Sequence, residues 1–321
     1  MTRIATYGQS QILLSDVLRN EQRVFDGQRK VTSGVAEKDY KGFAVDVTTL
    51  AGAKNLKKNA ESFQHDNDQV MRRLDLYDIN IKALRDIAQG MRDDVLAAVN
   101  GNTGVALRQK IDDYWQSAVS LFDARDNGRY IFSGSLTDQS PIASTANTPA
   151  GLASQTNDLT TTPTDAFTNN AVPRSARIDD ALTLTYGTVA SDVGDELAEA
   201  LRRIMRFDDN SETFGFATGG PFAQPMTDDQ RNFLIGEIDR LNACIDDVDE
   251  AHSTNGVHQR TIEDAQVRLG DNVTFITTFI ADIEDADMGV AVSRLQQDQL
   301  ALDASFRMLG QLSRVTLLDF I

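Results

Sequence analysis

From Leu56 onward, apolar residues recur every seven positions: Leu56, Phe63, Val70, Tyr77, Leu84 and Met91. Four residues after each comes a second row of Ala60, Asn67, Leu74, Ile81, Ala88 and Val95, in which only Asn67 is polar. Two rows interleaved at three-four spacing form the seam of a coiled coil. The pattern predicts a helix from about Ala44 to Val99, about 84 Å long at 1.5 Å per residue. It returns near the other end of the chain as Leu234, Leu241, Val248, Asn255, Ile262, Leu269, Ile276 and Ile283, with Ile238, Ile245, His252, Gln259, Gln266, Val273 and Ile280 beside them. Thr227-Asp228-Asp229-Gln230 supplies a capping box for this second helix, which is predicted to run to about Glu284. Gly256 and the polar residues around it give the helix a weak centre, since glycine in a helix costs about 1 kcal/mol relative to alanine. Helices of matched length cover each other most simply when laid antiparallel. The predicted rod seam is Phe63, Val70, Leu74, Tyr77, Ile81 and Leu84 against Leu234, Ile238, Leu241 and Leu269.

Shorter pieces lie between. "NGNTG" (100–104) is a turn, and a third helix follows with Leu107, Ile111, Tyr114, Trp115, Ala118 and Phe122 on one face, folding back as a helical hairpin. Asn127-Gly128 marks a tight turn, and Tyr130, Ile131 and Phe132 favour extended backbone. Residues 135–190 are rich in Thr, Ser, Asn and Ala, with strand-like alternation at Leu182, Leu184 and Tyr186. A further amphipathic helix spans about Asp192 to Arg206.

Each terminus carries an amphipathic helix. Val17, Val24 and Val31 fall seven apart, with Leu14 and Leu18 beside them; so do Met288, Leu295, Leu302 and Leu309, with Val292 and Phe306 adjacent. Two short helices are a marginal pair alone, whereas stacked copies would build a continuous core. The expected assembly surface is Leu14, Val17, Leu18, Val24, Leu295, Leu302, Phe306, Leu309, Leu312 and Leu318. The expected fold class is mainly α: an elongated antiparallel helical rod (41–134 with 191–284), a small β-rich insert (135–190) and paired terminal helices (1–40 with 285–321).

The chain of 321 residues has a formal net charge of -17. Such an acidic balance argues against nucleic acid and against docking on anionic lipid. The one cysteine, Cys244, cannot form an internal disulfide and falls among core positions, as an inert buried thiol would. No stretch is long enough to span a bilayer, and "MTRIATYGQSQILLSDVLRN" lacks the apolar core of a secretory signal. Catalytic signatures such as GxSxG, HExxH and a phosphate-binding glycine loop are missing. His65, His252 and His258 are scattered, and "IDDVDE" and "DIEDAD" lack the glycine and spacing of a calcium loop. No catalytic residue, cofactor or metal ligand is expected.

Three segments resemble the flagellin family: "NGRYIFSGS" after the helical hairpin, "IADIEDADMGVAVSRL" (280–295) before the last helix, and "VTSGV" (31–35) near the start. The ending "LQQDQLALDASFRMLGQLSRVTLLDFI" is similar to that of the family's hook–filament junction branch. The resemblance implies a structural protein of the bacterial flagellum that leaves the cell through the flagellar export channel. Its terminal helices would be ordered on assembly. The partners implied are further copies in a ring, a neighbouring hook-associated protein, flagellin and a flagellar export chaperone. A main filament subunit would share the same ends, and a surface-binding protein would instead use the insert, through Asn170, Tyr186 and the threonine run 160–164.

Overall fold

The structure, a computed structural model of the chain, describes residues 2–36, 47–160 and 165–318, with side chains described between residues 11 and 311. It is mainly helical. In chain order come α1 (Thr2–Ser33), α2 (Val47–Gly101), α3 (Leu107–Phe122), β1 (Arg125–Asp126), β2 (Arg129–Tyr130), α4 (Pro149–Ser154), β3 (Arg174–Arg177), β4 (Thr183–Tyr186), α5 (Ala190–Asp208), α6 (Asp228–Glu284) and α7 (Met288–Leu318). The chain divides into two compact units, Met1–Ala60 with Asp271–Ile321 and Glu61–Gly270.

In the second unit, α2 and α6 run antiparallel, as a ladder of side-chain contacts demonstrates. Arg85 Nε lies 2.6 Å from Asp249 Oδ1, and His252 Nε2 lies 2.9 Å from Asp78 Oδ1. Asn255 Nδ2 donates to the Leu74 carbonyl at 3.0 Å, Gln259 to Asp75 at 3.0 Å and Gln266 to Asp68 at 2.6 Å. One number rises as its partner falls. The seam between them buries Val70, Leu74, Tyr77, Ile81 and Leu84 with Leu234, Leu241, Val248, Ile262 and Leu269, while Phe63 and Ile238 are half-buried at its flank. Asn67, the polar break in the row, is buried and donates to the Ile178 carbonyl at 3.0 Å. It fastens the 135–190 segment to the helix. α6 begins at the expected box: Thr227 N donates to Gln230 Oε1 and Gln230 N to Thr227 Oγ1, both at 3.2 Å.

Leu56 departs from the expected seam and is 55% exposed. Leu50, Ala53 and Ala60 are buried in this part of α2 instead. A straight helix drifts by about 20° per heptad against a strict seven-residue repeat, which carries Leu56 out of the interface.

Asn127 and Gly128 both have positive φ, 51° and 81°, as the tight turn between antiparallel β1 and β2 requires. The extended run expected at Tyr130–Phe132 is shorter than its composition suggests. After Tyr130 the chain leaves the ladder, because Ile131 and Phe132 are needed in the core, where both are buried. The Tyr77 hydroxyl donates to the Ile131 carbonyl, and the Phe132 ring stands edge-on to Tyr77 at 5.2 Å and to Phe122 at 5.9 Å. α5 packs on this aromatic group through Gly194, where a Cβ would sit 2.6 Å from Phe167 and 2.8 Å from Phe122. β3 and β4 form a second antiparallel hairpin, Arg174 opposite Tyr186 and Arg177 opposite Thr183. From the stretch between the hairpins, Ile142, Ala146, Leu152, Leu159 and Phe167 join the helices' core, and so does Ile178 in the loop of the second hairpin. Trp115 is fully buried and donates to the Ala146 carbonyl at 2.7 Å.

At α5, Glu199 and Arg202 form a buried two-pronged ion pair with both contacts at 2.7 Å. The Asp195 carboxyl is pushed up to about 8, by burial first and then by Asp192, Glu196 and Asp247.

Two predictions follow from these placements. A Cβ at Gly256 meets nothing within 4 Å, so Gly256→Ala raises stability by up to about 1 kcal/mol, read by urea unfolding through Trp115 fluorescence. Because the folded state holds the Asp195 proton more tightly than the unfolded chain does, stability falls as pH rises from about 4 to about 8. Asp192, Asp208, Glu237 and Asp247 are displaced in the same direction by burial and add to that slope. Asp195→Asn removes its share, so the thermal midpoint of the variant varies less with pH.

Candidate assembly surface

In the first unit α1 and α7 lie side by side, antiparallel. Their joint is a short backbone clasp. Val35 bridges Asp285, Ala36 N donates to the Glu284 carbonyl at 2.7 Å, and Ala286 N donates to the Gly34 carbonyl at 2.8 Å. Gly34 ends α1 with φ at +73°, a conformation glycine adopts without penalty. Asp287 caps α7 by accepting from Val290 N at 3.0 Å. Further along, Gly27 lets the helices approach closely: a Cβ there would stand 3.2 Å from Leu295 Cδ1. Asn20 Nδ2 donates to Ser305 Oγ at 2.9 Å.

This pairing sorts the ten expected assembly residues. Val17 and Val24 are buried, on the face of α1 that meets α7. Leu295, Leu302 and Leu309 are half-buried along the opposing face of α7 with buried Ala291. Leu14, Leu18 and Phe306 are exposed, Leu18 by 57%. The side chains of Leu312 and Leu318 lie outside the described residues. Sequence reasoning missed Phe25, exposed and seven residues after Leu18; the heptad step from Leu18 carries that signal. At about 100° per residue, Leu14, Leu18 and Phe25 fall within about 40° of one another on α1. On α7, Met288, Val292 and Phe306 form an exposed stripe beside the seam.

The first unit therefore carries apolar surface that its own fold leaves uncovered. The large buried cluster of the protein lies wholly between Val70 and Ala265, in the second unit. Among the described residues, the buried apolar residues of the first unit are Val17, Val24, Leu50, Ala53, Ala60 and Ala291, three of them alanine. Covering one exposed Leu or Phe is worth about 1.5–3 kcal/mol. Charge divides the same way. Residues 61–270 hold 34 Asp and Glu against 18 Lys and Arg, whereas residues 1–60 and 271–321 together hold 14 against 13. A near-neutral unit lets identical copies approach; a strongly acidic one repels them.

Among the described residues no group of three or more His, Cys, Asp or Glu is placed to hold a metal ion. The Cys244 thiol is buried and pushed up to about 12 by that burial, so it stays a protonated core side chain. Among the described residues no helix is long and apolar enough to cross a membrane.

Residues 238–321 match the family model of the bacterial flagellin C-terminal helical region. The match takes in most of α6, the clasp at Asp285 and the whole of α7. Two solved structures share the fold. One is a Vibrio parahaemolyticus protein assigned as flagellar hook-associated, 15% identical, with a TM-score of 0.58 over 74% of this chain and 97% of that one. The other is Bacillus cereus FlgL, 11% identical, with a TM-score of 0.52 over 73% of this chain and 99% of that one. No curated protein matches the chain in sequence.

Within the flagellin-type region, Asp287 holds the first turn of α7. Asp287→Ala is expected to cost about 1 kcal/mol locally, seen as faster hydrogen exchange at the Val290 amide with exchange in α3 unchanged.

Proposed function

We propose that this chain is a structural subunit of the bacterial flagellar axis, of the hook-associated kind. It joins the hook assembly to the flagellin filament and assembles through α1 and α7. The observation that carries this reading is the exposed apolar stripe of the α1–α7 pair, on a unit with little core and almost no net charge. The flagellin-type C-terminal region and the fold shared with two flagellar proteins support it. On this reading the chain works outside the cell after export, in a ring of copies between a neighbouring hook-associated protein and flagellin. A chaperone would cover its ends before export. The work is mechanical, with no cofactor and no reaction.

The test is genetic. Cells lacking a junction subunit carry bare hooks and release flagellin into the medium; cells lacking a main filament subunit carry filaments that are short or absent but keep their junctions. Normal filaments in the deletion strain would sink the junction reading. A complementing chain with Leu18→Asp and Phe306→Asp is expected to be exported and folded, because both side chains already face solvent, and yet to restore no filaments.

A further inference from the structure

In the first unit, α2 and α6 also lie against each other. Lys54 and Glu284 form an ion pair across them, which identifies one flank of the pair. Leu56, Phe275 and Phe279 fall on the other flank. At about 100° per residue, Lys54 and Glu284 sit to one side of the buried Ala53 and half-buried Ile276 positions, and the three apolar residues sit to the opposite side. In an antiparallel pair, like flanks face each other, so the three residues share one ridge. All three are exposed, Phe275 by 72% and Phe279 by 38%. Thr49, Gly52 and Asn272 on this flank are exposed and uncharged, and exposed Asp271 and Asp282 border it beside Phe275. Two phenylalanines and a leucine left exposed together on one flank are out of keeping with a chain in which 25% of residues are charged.

We propose that this ridge receives a second copy of the chain, and that the part of the copy seated on it is the α1 stripe of Leu14, Leu18 and Phe25. The inference rests on the assembly reading above and specifies how the copies meet. Charge limits the occupant: two copies brought together through residues 61–270 would oppose two strongly acidic surfaces, whereas the ridge and the stripe both belong to the near-neutral unit. Shape favours the match. Phe275 and Phe279 are four residues apart, as are Leu14 and Leu18, so each helix offers rows of the spacing that interdigitate in helix packing. The consequence is geometric. A patch that meets itself closes a dimer and stops; two different patches that meet each other leave one of each free and continue into a ring or a filament.

The experiment uses the full chain in sedimentation velocity. One variant carries Phe275→Glu and Phe279→Glu, and a second carries Leu14→Glu and Leu18→Glu; all four side chains are exposed, and circular dichroism checks that each variant is as helical as the parent. The parent is expected to associate with rising concentration, and each variant alone to associate about tenfold more weakly or not at all. An equal mixture of the two is expected to form a one-to-one dimer that grows no further, since one intact ridge and one intact stripe remain. If each variant alone still dimerises, the patches meet themselves and the proposal fails. It fails equally if the ridge variant associates like the parent, or if the mixture stays monomeric. A parent chain that remains monomeric at every concentration would overturn the assembly reading itself, and this inference with it.

Discussion

The second unit depends on the antiparallel seam between α2 and α6. Neither helix is stable in water by itself; each becomes so by setting its apolar stripe against the other. The seam also sets register, and here the polar residues matter more than the apolar ones. A row of Leu, Ile and Val tolerates a slide of one heptad. Asn255 on the Leu74 carbonyl does not, because a slide would strand its buried amide without a partner, and His252 beside Asp78 and Gln266 on Asp68 add more exposed contacts in the same register. Asn67 extends the same logic beyond the helices, tying the Ile178 carbonyl to the seam.

On that frame the second unit gathers almost everything the protein can bury. Trp115, Phe122, Phe132 and Phe167 close over the α3–α5 side, and Phe207 stacks on Phe233 with ring centroids 4.0 Å apart at the start of α6. Among the described residues, the first unit has a two-helix seam with a valine stripe and a glycine approach, and no such cluster. Under the assembly reading, concentrating core and net negative charge in one part while leaving apolar surface on a neutral part would favour contact through the neutral part. The two-unit contrast says more about function than any single residue does.

Much of this was legible in the sequence. The seven-residue rows give both long helices, with α6 ending at Glu284 as expected, while the expected start of α2 at Ala44 lies outside the described residues. The Thr227–Gln230 box and the Asn127-Gly128 turn are local chemistry, and local chemistry reads directly from neighbours in the chain. Leu56 shows where the reading stops. A strict repeat treats the helix as if it coiled perfectly, whereas drift decides which side of the interface a residue reaches. The division of the terminal residues was hidden for a related reason. Val17 and Leu18 are adjacent and equally apolar, and only the placement of α7 makes one a core residue and the other a surface residue. Periodicity finds an apolar band; it cannot say which edge of a wide band is covered by the same chain and which is left for another.

The α1–α7 pair is held unevenly along its length. At the joint, backbone hydrogen bonds at Ala36 and Ala286, the Gly34 turn and the Asp287 cap fix both helices within a few residues. Further from the joint, fastenings among the described residues include the Gly27–Leu295 approach, buried Val24 and Val17, and the Asn20–Ser305 hydrogen bond. Ordering each residue of a helix costs roughly 1–2 kcal/mol. Under the assembly reading, a partner that covers Leu14, Leu18 and Phe25 would bury apolar surface that the pair leaves exposed, so covering the stripe would also strengthen the order of the terminal helices.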